Sequence, residues 1–232
     1  MDNIISGIHQ PNFMPWLGYF YKIYQSDIFI FLDDVQFPKT GSSTYVNRVS
    51  INISGESRYI TVPIKRASGT WAINETQFSD EKWKKKAIST LQGNYAKAKY
   101  FKEHRDLIFE LIEFQADDIA TYNINFIKTI SKELGLKSRF VNSSEFEIKS
   151  SSTQRLIDLL KAVGATTYLS GSGGDNYQDH QMYKDANIKV IYNKMPPFEY
   201  PQVKSESFVG GLSIVDAIFN IGIDSLKKEL FI

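Results

Sequence analysis

Two stretches near the start of the chain decide the fold: Ile4-Ile5-Ser6-Gly7-Ile8-His9-Gln10-Pro11-Asn12-Phe13-Met14-Pro15-Trp16-Leu17-Gly18-Tyr19, and Asp27-Ile28-Phe29-Ile30-Phe31-Leu32-Asp33-Asp34. Each contains a short apolar run of the kind that forms a strand buried on both faces. Residues 4–10 and 28–34 are therefore expected as the first two strands, joined by a turn through Pro11 to Pro15 and a helix from about Trp16 to Gln25. Each run stops on polar residues suited to proton transfer, hydrogen bonding or metal binding, His9-Gln10 in one case and Asp33-Asp34 in the other. In an open parallel sheet such strand ends converge on one crevice, where ligands bind.

The remainder of the chain fits that start. Residues 35–57 read as a polar, irregular segment, and Arg58 to Ile64 as an edge strand ending at Val62-Pro63. Helical patterns follow from Ser79 or Asp80 to Leu91, from about Ala96 to Phe114, and from about Asp118 to Leu134 with Gly135 as the stop. Lys82 and Lys84-Lys85-Lys86 are expected on a solvated face of the first of these helices. Alternation then resumes: a strand at Arg139–Asn142, a helix at Thr153–Val163, a strand at Thr166–Ser170, a short helix at Tyr177–Asp185 and a strand at Lys189–Asn193, with two covering helices near Ser213–Asn220 and Asp224–Leu230. The expected class is α/β, a mostly parallel sheet with flanking helices, Rossmann-like or nucleotidylyltransferase-like, in a single 1–232 domain. Residues 79–135 would form an α-helical insertion or arm packed on it.

Composition narrows the chemistry. A chain of 232 residues with 42% hydrophobic residues can fill one large core. Its 27 basic and 26 acidic residues give no overall field favouring nucleic acid, so any anionic ligand needs a local arrangement. No cysteine is present, which excludes thiolate metal sites and cysteine nucleophiles, and with only three histidines (His9, His104, His180) a histidine-rich metal site is not expected. No stretch has the roughly 20 apolar residues of a membrane span. The start of the chain lacks the pattern of a secretory signal, so the cytoplasm is the expected compartment. Thirteen tyrosines and 16 phenylalanines supply core rings and, in the tyrosines, hydroxyls and faces suited to sugar or nucleobase contacts.

His9, Asp33 and Asp34 are the candidate catalytic residues. Imidazole can act as an acid or base near neutrality. The carboxylates could orient it, grip sugar hydroxyls or hold magnesium, and strand alternation aims only one of the two at the crevice. The turn Ser170-Gly171-Ser172-Gly173-Gly174-Asp175-Asn176-Tyr177, between a strand and a helix, is a candidate phosphate or carboxylate cradle, and equally a flexible turn capped by Asp175. Gln10, Tyr19, Gln36, Lys39, Asn47, Arg48, Ser170, Gly171, Gly173, Gly174 and Tyr177 are the candidate substrate-binding residues.

His9-Gln10-Pro11, then Pro15-Trp16-Leu17-Gly18-Tyr19-Phe20, then Leu32-Asp33-Asp34-Val35-Gln36-Phe37 with Lys39 and Asn47-Arg48, resemble the opening signature of the WbqC-like family. Later blocks are similar in the same order: Thr61-Val62-Pro63, Tyr95 with Tyr100-Phe101, Leu134-Gly135, Gly164-Ala165, Tyr168-Leu169-Ser170-Gly171 and Leu212-Ser213-Ile214-Val215-Asp216. The specific part lies in the first 48 residues and around Ser170-Gly171. The resemblance implies a bacterial protein of surface-polysaccharide (O-antigen, lipopolysaccharide) synthesis, a transferase joining an amino-acid or acyl group to a nucleotide-linked amino sugar by an amide bond. The implied partners are that sugar nucleotide and an unidentified donor, with no nucleic acid and no membrane span. Two other readings stand beside it. The strand, His-x-Pro turn and helix, with Ser152-Thr153-Gln154-Arg155 later, are similar to nucleotidylyltransferases or adenylate-forming ligases, which use ATP and magnesium; the second histidine of that motif is absent, Leu17-Gly18-Tyr19 standing in its place. A non-catalytic glycan-binding or assembly protein is the third.

Overall fold

In chain order, β1 (Ile5–His9) leads to α1 (Leu17–Tyr24) and β2 (Ile28–Phe31), followed by a hairpin of β3 (Arg48–Ile53) and β4 (Glu56–Thr61). Helices α2 (Lys82–Tyr95), α3 (Phe101–Glu113) and α4 (Ile119–Glu133) come next, then β5 (Arg139–Asn142), α5 (Ser152–Ala162), β6 (Thr167–Ser170), α6 (His180–Asp185), β7 (Lys189–Tyr192), α7 (Ile214–Ile221) and α8 (Ile223–Leu230). The computed structural model describes residues 3–38, 45–65, 71–171 and 179–231. Among them, five strands form a parallel sheet in the order β5-β2-β1-β6-β7. The chain thus winds outward from β1 through β2 to β5, then crosses β1 and winds the other way through β6 to β7. That is a doubly wound, Rossmann-like α/β fold, as the alternation predicts.

The sequence of β2 shows why both faces must be covered. Its four residues, Ile28-Phe29-Ile30-Phe31, are all buried. Phe29 and Phe31 pack in a cluster with Phe20 and Ile23 of α1, Phe126 and Ile130 of α4, and Ile218 of α7, whereas Ile28 and Ile30 join Ile157 and Leu160 of α5 and Tyr183 of α6. The aromatic cluster also takes in Leu91 and Tyr95 of α2 and Ile108 and Ile112 of α3. The helical segment therefore shares its core with the sheet. Asp118 caps α4 by accepting from the Thr121 N–H at 2.9 Å, and Gly135, at φ 74°, ends it in the left-handed conformation that glycine adopts without strain.

Two expectations need correction. Residues 48–53 are not irregular: Val49, Ile51 and Ile53 alternate with Ser50 and Asn52, and this period-two pattern pairs antiparallel with β4 through a tight turn in which Ser54 and Gly55 both have positive φ (53° and 85°). Lys84 does not sit on a solvated face. It is 5% exposed, donates to the Phe114 carbonyl at 2.9 Å and pairs with Glu81, while Lys82, Lys85 and Lys86 are exposed.

Candidate functional site

The order of the sheet reverses between β1 and β6, and in doubly wound folds ligands sit outside the carboxyl ends of the strands at such a switch point. Here those ends are His9-Gln10 and Ser170-Gly171. Gly7 lets β1 approach its neighbours closely, since a Cβ there would lie 2.6 Å from Ser26 Oγ and 3.0 Å from the Phe29 ring. Past β1, the loop to α1 is fastened by distant parts of the chain. Asn123 of α4, fully buried, donates through Nδ2 to both the Pro11 and Val46 carbonyls at 2.8 Å. The Phe13 N–H donates to the Tyr45 carbonyl at 2.9 Å, Ser213 Oγ to the Met14 carbonyl at 2.7 Å, and the Ile214 N–H to the Pro15 carbonyl at 2.9 Å. These bonds hold buried Met14 at φ 41°, a conformation that is strained for a residue with a side chain.

His9 is the central side chain of this end. Its Nδ1 lies 3.0 Å from the Gln10 carbonyl, and because a carbonyl only accepts, Nδ1 carries the proton and Nε2 keeps its lone pair. Tyr19 packs edge-on, 4.8 Å between ring centroids, and donates its hydroxyl to the same carbonyl at 2.9 Å; Trp16 lies 6.1 Å away on another side. Burial, and then the nearby Lys22 ammonium, push the imidazole down to about 3. The ring therefore stays uncharged at neutral pH. His9 is a neutral hydrogen-bond acceptor there.

Lys22 is the residue that the sequence reading passed over. It lies in the last turn of α1, is 2% exposed, and donates from Nζ to the Ile8 carbonyl at 2.7 Å. The last β1–β6 pair is Gly7 with Leu169, so Ile8 stands one register step beyond it, at the switch point. The Tyr168 ring lies 5.9 Å from Nζ. Burial pushes the lysine down to about 7. A signal was legible: α1 has aromatic or aliphatic residues on every side and no other charge, and a helix apolar all round is buried with whatever it carries.

Asn193, directly after β7, closes the other side. Its N–H donates to the Ser170 carbonyl at 2.8 Å and its Nδ2 to the Gly18 carbonyl in the first turn of α1 at 2.9 Å, while its Oδ1 is enclosed without a partner. Ser170 is fully buried.

The end of β2 is built differently. Asp33, 4% exposed, accepts from Ser143 Oγ at 3.0 Å, from the Ser144 N–H at 3.0 Å and from Ser144 Oγ at 2.5 Å. Asp34 accepts from Ser143 Oγ and pairs with Arg155 Nη2 of α5 at 2.5 Å. Both carboxylates thus engage the turn after β5 and the helix beyond it. Neither is hydrogen-bonded to His9 among the described residues, and no group of three or more His, Cys, Asp or Glu side chains is placed there to hold a metal ion.

Of the other expected residues, Gln10 adjoins His9 and Tyr19 packs on it. The Tyr45 ring lies tilted, 5.2 Å from that of Trp16, which brings the segment leading into β3 beside the β1 loop. Asn47 spends its Nδ2 on the Val62 carbonyl at 3.0 Å, and the Arg48 guanidinium lies 4.6 Å over the Tyr59 ring. Gln36 is exposed and forms a bridge with Ala72. Gly171 follows Ser170 at the end of β6, whereas Lys39, Gly173, Gly174 and Tyr177 lie outside the described residues.

The sequence model of the WbqC-like protein family matches residues 10–228. The chain belongs to the WbqC-like protein family. The match takes in the β1 loop, Lys22, both carboxylates, the helical segment and the end of β6. A relative, the uncharacterized protein Rv1507c of Mycobacterium tuberculosis (strain ATCC 25618 / H37Rv), is 31% identical over 221 residues, covering 94% of each chain. No solved structure matches this WbqC-like chain. Among the described residues, no helix is long and apolar enough to cross a membrane.

Proposed function

We propose that this WbqC-like protein is a transferase that forms an amide on the amino group of a nucleotide-linked sugar, with an amino-acid or acyl group as the donated part, in surface-polysaccharide synthesis. The observation that carries this reading is the neutral His9 at the switch point, with Nε2 free to accept a proton and Nδ1 locked on the Gln10 carbonyl. An amine attacking an acyl group must lose a proton, and a fixed, uncharged imidazole is a suitable acceptor. A base held near 3 is weak by itself, but an anionic substrate beside it would raise it toward neutrality. Gln10, Trp16 and the start of β3 would line the sugar, and the end of β6 would face its phosphates. Asp33 and Asp34, in this reading, hold the turn after β5 that frames the crevice.

The test is mass spectrometry of nucleotide-linked amino sugars incubated with the protein, a bacterial extract and activated acyl or aminoacyl donors. A mass gain equal to one acyl or aminoacyl group, absent with His9→Gln, is the expected result. Sugar-nucleotide binding without turnover under every donor would instead make the protein a binding module. The doubly wound order also supports a second reading, nucleotidyl transfer or adenylate formation, because nucleotide phosphates commonly sit after the first strand of such sheets. Exchange of labelled pyrophosphate into ATP would favour that reading over the first.

A further inference from the structure

Lys22 carries a charge that the fold by itself does not require. Its Nζ has three N–H bonds, and among the described residues only the Ile8 carbonyl accepts from it. Among those residues no acidic side chain forms an ion pair with it. Lys84, the other buried lysine described, has the Glu81 carboxylate and the Phe114 carbonyl. A lysine buried without a counter-charge is costly to keep protonated, and an apolar side chain of the same length would fill the space at lower cost. The described groups around it carry no negative charge either: His9 on β1, Tyr19 on its own helix, and Tyr168 on β6, behind which stand Tyr183 of α6, with ring centroids 5.6 Å apart, and Tyr192 of β7. Its Nζ is bonded to the backbone at the switch point. Ile8 lies one step beyond the last β1–β6 pair, where the two strands end on His9-Gln10 and Ser170-Gly171.

We propose that Lys22 is the cation that recognises a ligand phosphate at the carboxyl ends of β1 and β6. The inference rests on the reading that the site takes a nucleotide-linked substrate, and it names the residue that meets that substrate's charge. Without ligand, Lys22 is partly deprotonated near neutrality. A phosphate about 6 Å away, at an effective dielectric constant of about 20, would raise its pKa by about two. One proton then moves from solvent to Nζ as the anion binds, and no bond is made or broken elsewhere.

The experiment is isothermal titration of the full chain with UDP-N-acetylglucosamine, whose diphosphate is esterified at both ends and has no titratable proton near neutrality, in buffers of different ionisation enthalpy. Inorganic phosphate and uncharged N-acetylglucosamine are the companion probes. Uptake of about 0.8 proton per bound sugar nucleotide at pH 8, falling to about 0.1 at pH 6, is expected from a pKa moving from about 7 to about 9. N-acetylglucosamine should bind, if at all, without uptake, and inorganic phosphate should compete with the sugar nucleotide. Lys22→Met should weaken sugar-nucleotide binding by more than about 10-fold and abolish uptake; Lys22→Arg, always charged, should bind without uptake. If Lys22→Met does not fold, the wild-type uptake and the arginine variant still decide the matter. Unchanged affinity in Lys22→Met, absent uptake at pH 8, or failure of both anions to bind at about 10 mM would each overturn the proposal. Uptake without sugar turnover would leave the phosphate site standing and remove the transfer reading. Turnover with an unaltered KM in Lys22→Met would do the reverse.

Discussion

The ends of β1 and β2 lie side by side in one sheet and both stop on polar residues, yet they are built for different purposes. At β2, two carboxylates are surrounded by donors: two serine hydroxyls, a backbone N–H and the Arg155 guanidinium. At β1, a neutral imidazole and a buried lysine are held in place by bonds to backbone carbonyls, and among the described residues no carboxylate pairs with the lysine. The first arrangement is complete without a ligand. On the proposed reading, a ligand phosphate completes the second. A charge already matched within the protein contributes to folding, whereas one left unmatched costs stability and can be matched by a substrate.

The comparison breaks most easily at His9. His9→Gln should lower turnover by about 100- to 10,000-fold, the range for loss of a general acid or base, with the melting temperature little changed. A folded and fully active variant would take the chemistry away from the β1 end. Asp33→Ala should act oppositely, costing about 2–3 kcal/mol in urea unfolding because the Ser144 N–H and hydroxyl lose their charged acceptor and Ser143 loses one of its two, while sugar-nucleotide affinity in the folded fraction stays within about 3-fold. If affinity collapsed at unchanged stability, the β2 end would belong to the binding site after all.

The pH dependence sharpens the contrast further. Lys22 has a folded value of about 7, below its ordinary 10.5, so between those values the unfolded chain binds a proton that the folded chain does not. Stability should therefore rise with pH across that window through this residue, by up to about 1.4 kcal/mol per pH unit, and Lys22→Met should lose that part of the rise. Chemical denaturation at pH 7, 8 and 9 of both proteins measures it, and parallel curves would mean that Lys22 is fully charged in the folded state. Asp34→Asn should have the smallest effect, under about 1 kcal/mol, since the Asp34–Arg155 pair keeps contact with solvent. A loss of several kcal/mol would show that the pair is a main support of the turn.

The sequence by itself determined the layers of this protein. Short apolar runs alternating with amphipathic stretches specify parallel strands with helical crossovers, because a strand buried on both faces must be apolar on both, and Ile28-Phe29-Ile30-Phe31 is. It also determined family membership, through the block from His9 to Arg48, and the caps at Asp118 and Gly135, whose signals are local. The hairpin strand at 48–53 was legible as alternation but was masked by the polar residues flanking it. What only the tertiary structure decided is the partner of each polar group. Asp33 and Asp34 read as a site pair until Ser143, Ser144 and Arg155, more than 100 positions away in the chain, are brought to them. Asn123 lies within an apolar helix pattern and Lys22 within an aromatic one, and nothing local says that one fastens the β1 loop or that the other sits at the switch point without a counter-charge. The reason is physical: periodicity records which side of an element is buried, whereas the worth of a buried polar group depends on whether a donor, an acceptor or an opposite charge from elsewhere in the chain reaches it.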